Sequence, residues 1–129
     1  MAPKRFFIPA LLWTIGIAVA CLVSSGTVPK FPLLAKDKII HAAIYFVFTL
    51  LWFLYVKKKY PSVTFYQKAI LVLSFAFVYG TLIEVLQEFF TETRKADVLD
   101  VMANVSGGIL AVAVLRFVQY CKEKRKTKH

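Results

Sequence analysis

Four stretches of this chain are apolar for about the thickness of a lipid bilayer. They cover about residues 6–23, 39–56, 69–90 and 98–120. A helix rises 1.5 Å per residue, so ~20 residues cross the ~30 Å of hydrocarbon. In lipid no water reaches the backbone N–H and C=O groups, and each must be satisfied within the protein. Apolar runs of this length meet that demand as helices. The first two are apolar all round, which excludes an ordinary amphipathic surface helix. The predicted fold is therefore all-α, a single domain over residues 1–129. It is an integral membrane bundle of four transmembrane helices, followed by a basic tail over 121–129.

Composition agrees. The chain is 59% hydrophobic, with a mean hydropathy of +0.65, against the ~45–50% apolar content of soluble domains. The net charge of +10 does not point to nucleic acid, because the basic residues cluster at the ends of the apolar runs. That placement suits anionic lipid headgroups. With the N-terminus inside, the inner side holds Lys4, Arg5, Lys57, Lys58, Lys59, Lys68, Arg116, Lys122, Lys124, Arg125, Lys126 and Lys128. The outer side holds only Lys30, Lys36, Lys38, Arg94 and Lys95. The positive-inside rule then predicts that both termini are cytoplasmic.

The connections fit this topology. Residues 24–32 hold Pro29 and Pro32 and read as a turn-rich outer loop. Residues 57–61 form a short basic inner turn, and 91–96 a tight outer one, with Asp97 as a candidate helix cap. The cationic segment 122–128 is expected to be disordered and to face lipid. Cys21 and Cys121 fall at opposite membrane faces, so no disulfide between them is expected. The first run also has features of a signal peptide, with Ala18 to Cys21 loosely like a lipoprotein cleavage site. Its length and the lack of a soluble segment behind it favour a retained span.

The third and fourth runs are interrupted by polar residues at helical spacing. Glu84, Gln87 and Glu88 share one face, as do Asp97, Asp100, Asn104 and Gly107 with Gly108. Carboxylates in a membrane segment are costly and mark a functional site by default. Depth brings them together. His41 lies ~6 Å into the second helix, while Glu84 and Asn104 lie ~9 Å below the outer ends of theirs. Asp37, Lys38, Gln87, Arg94, Asp97 and Asp100 sit nearer the surface. Three helices thus bring polar side chains to one level in the outer half of the bilayer.

Those nine residues (Asp37, Lys38, His41, Glu84, Gln87, Arg94, Asp97, Asp100 and Asn104) form the candidate ligand-binding set. Each is open to two readings. Glu84 is either a neutral interhelical hydrogen-bonding residue or a direct participant in function. Asp37 with His41 is either an end-of-helix pair or an oriented base. Lys38 and Arg94 either serve an interfacial salt-bridge network or meet an anionic headgroup. His41 and Glu84 are the candidate catalytic bases, but no nucleophile motif such as Gly-x-Ser-x-Gly accompanies them. His41, Glu84, Asp97 and Asp100 offer one nitrogen and several oxygens to a metal, but no His-x-x-x-His or paired-cysteine signature supports such a site, so no metal or other cofactor is expected. Gly80, Gly107 and Gly108 read as small contacts that let the third and fourth helices approach. The aromatic residues, Trp13 and Trp52 among them, read as membrane anchors and packing. The chain has no internal repeat and no polar path through its inner half, which argues against a transporter.

The pattern Asp37-Lys-Ile-Ile-His41 with Tyr45-Phe46, then Gly80-x-x-x-Glu84-x-x-Gln87, then Arg94-x-x-Asp97-x-x-Asp100-x-x-x-Asn104-x-x-Gly107, resembles the VanZ-like family of small membrane proteins. The resemblance spans about residues 37–110. The family commonly has a further glycine four residues after Gly107, where this chain has Ala111. The resemblance implies a bacterial cell-envelope protein of the cytoplasmic membrane. It also implies a link to teicoplanin, a lipid-bearing glycopeptide, and so to antibiotic resistance. The function expected is recognition of an amphiphilic envelope molecule, a lipid-linked precursor or a lipoglycopeptide, with membrane lipids as partners. The alternatives are a membrane enzyme acting on a lipid headgroup and a structural or partner-binding bundle.

Overall fold

In the computed structural model all four apolar runs are helices that continue past their apolar limits. The structure describes residues 3–23, 34–92 and 95–129; the expected proline-bearing outer loop lies outside them. Helix α1 spans Lys4–Val23, α2 Leu34–Lys59, α3 Phe65–Phe90 and α4 Val98–Thr127. All four are long and apolar enough to cross a membrane. The ends run further than the apolar runs because helical hydrogen bonding does not stop where hydrophobicity does.

Two helix starts have local causes. Thr64 and Gln67 form a reciprocal capping box at the start of α3, which satisfies otherwise orphaned N–H groups. Asp97 caps α4 as expected, accepting from the Leu99 N–H at 2.8 Å. At the far end of α3, the Thr91 backbone N–H donates to the Gln87 carbonyl at 3.0 Å. The expectation of a disordered basic tail is corrected, because α4 stays helical to Thr127. Lys, Glu, Gln and Arg are good helix formers, and Gln119 donates to Glu123 at 2.8 Å one turn on.

Helix α2 touches each of the other three, most extensively α4, and the α2–α3 pair separates α1 from α4. The closest approach is at Gly107. A Cβ there would lie 2.0 Å from the Ala42 carbonyl oxygen, so α4 rests directly on the α2 backbone. The expectation that this glycine serves the third and fourth helices is therefore corrected to α2 against α4. Gly108 faces side chains, Leu73 of α3 and Thr49 of α2. Ala111, where the family has glycine, is fully buried, so its methyl is accommodated.

The interior is aromatic. Phe48 stacks on Tyr79 with ring centroids 5.5 Å apart and, with Tyr45, Ala76, Ile83 and Ile17, forms one buried cluster. Phe53, Val56, Ala69 and Val72 form a second. The indoles do more than anchor the bundle in lipid. Trp13 donates to the Ile44 carbonyl and Trp52 to the Thr14 hydroxyl, each at 3.0 Å. Outward faces are apolar on every helix, as at Leu12, Ile39, Phe89 and Phe117. In water such a surface would aggregate; in lipid it is the contact surface.

Candidate functional site

The polar residues of α2, α3 and α4 meet at the end of the bundle away from the N-terminus. Three of them are at most 3% exposed: Glu84, Gln87 and Asn104. His41 and Asp100 are nearly as deep. Polar groups at this depth need partners, since desolvation without a hydrogen bond costs a few kcal/mol.

Most of those partners lie on a neighbouring helix. His41 Nδ1 of α2 lies 3.1 Å from Asn104 Oδ1 of α4. An amide oxygen only accepts, so the ring donates from Nδ1 in this contact. Lys38, one turn outward from His41, donates to Asp97 Oδ2 at 2.8 Å and also to Asp100. Its ammonium therefore joins α2 to the start of α4 through two carboxylates. Asp97 is held below the ordinary carboxylate range, first by the Lys38 hydrogen bond and then by the Leu99 N–H. Glu84 of α3 reaches toward the same turn, with Oε2 at 3.5 Å from the Asp97 backbone N–H.

The floor of the cluster depends on Gly80. A Cβ at that position would stand 2.9 Å from Asn104 Nδ2 and 3.4 Å from the outer ring atoms of Tyr45. The glycine makes room for the amide that orients His41. Tyr45 is buried, and its hydroxyl has no hydrogen-bond partner among the described residues. It belongs to the site although it was outside the candidate set. The signal was present, because Tyr45 stands four residues after His41 and so on the same helix face.

Not every candidate turns inward to this cluster. The Gln87 amide donates to the Cys21 carbonyl at 3.1 Å, so it ties α3 to α1. Glu88 is exposed and does not share the buried face of Glu84. Asp37 lies in α2, but its side chain is outside the described residues, as is Arg94. Cys21 and Cys121 are not joined by a disulfide.

One geometric feature was not visible in any single motif. One donor atom each from His41, Glu84 and Asp100 lies within 4.8 Å of the others, and all three residues are buried. One imidazole nitrogen and two carboxylate oxygens suit a divalent cation. The Lys38 ammonium already serves Asp100, so a cation would share that carboxylate with it. No short motif announces the trio, because its members come from three helices.

No curated protein and no solved structure matches this chain. A family model described as VanZ/LLP1 matches residues 23–119, which takes in α2, α3, the whole polar cluster and most of α4. With three quarters of its length matched, including every described residue of the cluster, the chain belongs to the VanZ/LLP1 family.

Proposed function

We propose that this protein is a multi-pass protein of the bacterial cytoplasmic membrane that binds the polar part of an amphiphilic envelope molecule. Both termini would be cytoplasmic, so the polar cluster would open toward the outer leaflet. The observation that carries the reading is the convergence of His41, Glu84, Asp100 and Asn104, from three helices, into one buried group near a membrane face. Lipid-exposed apolar helix faces surround it, so a ligand's chain would lie in the bilayer while its head enters the cluster.

The described residues bias what that head contains. Glu84, Asp97 and Asp100 supply carboxylate oxygens, and the Lys38 ammonium is engaged by two of them. The cluster thus offers more acceptors than donors, which suits hydroxyl and amino groups of a sugar or peptide head. Arg94 is the residue kept for an anionic group, through its bidentate fork. In the cell, such a protein would handle a lipid-linked envelope precursor or alter susceptibility to a teicoplanin-type lipoglycopeptide.

A second reading has its own observation. His41, Glu84 and Asp100 converge closely enough to work as a proton-transfer or cation-binding group, which favours a membrane enzyme acting on a lipid headgroup. Native mass spectrometry with metal analysis on wild type, Glu84→Gln and Arg94→Ala separates the two. A retained lipid or precursor that is lost in Arg94→Ala supports recognition and names its ligand. A stoichiometric metal lost in Glu84→Gln supports the enzyme. The same unspecific lipids in all three proteins, without metal, would leave a structural cluster and refute both.

A further inference from the structure

At the opposite end of the bundle lies a second charged feature, independent of the polar cluster. A cleft of about 390 Å³ opens between the end of α2, the start of α3 and the last turns of α4. That volume falls within the range of small-ligand pockets. Four lysines line it: Lys57 of α2, Lys68 of α3, and Lys122 and Lys126 of α4. The acid on its wall, Glu123, is turned to other partners. It accepts from Gln119 at 2.8 Å and lies 4.0 Å from Arg116.

Lys68 is the informative member. It is only 6% exposed, and its ammonium has no hydrogen-bond or ion-pair partner among the described residues. Lysine is rarely this enclosed without a partner, and its ammonium is not among the fully buried unpartnered side-chain atoms, so the stem is covered while the charge opens into the cleft. Phe53, Pro61, Val63 and Phe65 form the apolar part of the same wall. The first turn of α3 also borders the cleft, and a helix N-terminus carries partial positive charge. Apart from Glu123, the charged elements here favour an anion.

We propose that this cleft binds a phosphate group, with Lys68 as its deep contact and Lys57, Lys122 and Lys126 around it. A carboxylate brings one charge, whereas a phosphate group brings up to about two charges and three strong acceptor oxygens, which better match four ammonium groups. The cleft sits where three membrane-spanning helices end, the level of lipid phosphates. The phosphate therefore comes either from an anionic phospholipid headgroup or from a soluble phosphate compound.

The test uses the full chain in nanodiscs, comparing wild type, Lys68→Met, the pair Lys122→Ala with Lys126→Ala, and Lys59→Met. Lys59 donates to Tyr55 outside the cleft, so its variant controls for loss of charge alone. In neutral phosphatidylcholine discs, thermal unfolding is followed against inorganic phosphate, with chloride at matched ionic strength. In discs containing phosphatidylglycerol, native mass spectrometry counts retained anionic lipid. We expect binding in one arm, about tenfold or more weaker in Lys68→Met and in the Lys122/Lys126 pair, and unchanged in Lys59→Met. A response to inorganic phosphate names a soluble ligand. Retained phosphatidylglycerol without that response names the lipid. Should Lys68→Met fail to fold, the exposed Lys122/Lys126 pair decides alone. Equal binding by wild type and the cleft variants, or no binding above chloride and phosphatidylcholine, overturns the proposal.

Discussion

Alanine at position 107 should damage this protein far more than alanine at position 108. A methyl at Gly107 would stand 2.0 Å from the Ala42 carbonyl oxygen, 2.7 Å from its carbonyl carbon and 2.9 Å from its Cα. Reaching even 3.0 Å from the oxygen demands a separation of about 1 Å between α2 and α4. Backbone cannot rotate away as a side chain does, so the helices themselves must part. Overpacking a tight interior typically costs ~1–3 kcal/mol. The separation would also stretch the His41–Asn104 contact from 3.1 Å beyond hydrogen-bonding range, which adds ~1 kcal/mol. We expect a total of ~2–4 kcal/mol. At Gly108 the methyl meets only the ends of Leu73 and Thr49, at 2.9 and 3.0 Å. Those side chains can shift, so less than ~1 kcal/mol is expected there. At Gly16 nothing lies within 4 Å, and Gly16→Ala should stabilise α1 by ~0.5–1 kcal/mol through helix propensity. Equilibrium unfolding in mixed micelles titrated with denaturing detergent measures all three. If Gly107→Ala proves as stable as Gly108→Ala, the α2–α4 contact is not at this register and the reasoning is wrong.

Three further outcomes follow from the same geometry. Asn104→Leu removes the acceptor of His41 Nδ1 and should cost ~1–3 kcal/mol; imidazole nitrogen NMR should show the Nδ1 proton preference relax, and an unchanged spectrum would contradict the contact. Asp97 is held low in the folded protein, so its contribution to stability is present above the unfolded carboxylate value of ~3.9 and is lost as pH falls through its depressed folded value. Lys38→Met should flatten that acid limb of the stability profile, and an identical limb in both proteins would count against the ion pair. Thr64→Ala breaks the capping box of α3 and should cost ~1 kcal/mol, with little further loss on adding Gln67→Ala, since the two side chains act as one unit; fully additive losses would deny the reciprocal cap.

Much of the site was legible before any coordinates. Lys38, His41, Glu84, Asp97, Asp100 and Asn104 share one level because each helix must start and end at the membrane boundary. Counting residues from those ends is then a measure of depth. The pairing of these residues was not legible. Helical periodicity assigns a residue to a face but does not say which helix that face meets. Gln87 shares the buried face of Glu84, yet its amide ends on Cys21 of α1. Glu88, one residue on, is turned out of the bundle. The helical tail beyond residue 120 was missed for another reason, because its charge suggested disorder while its Lys, Glu and Gln content favours helix.

What the sequence determined by itself is the number of spans, their all-α character and the level of the polar cluster. A bilayer imposes these through strong and local penalties, for unsatisfied backbone and for misplaced charge. The tertiary structure alone decided which glycine carries the α2–α4 contact and that Lys68 is buried at the opposite end. These depend on how one helix is rotated and shifted against another. Side chains separated by dozens of residues set that arrangement through close packing, and no single segment contains the information.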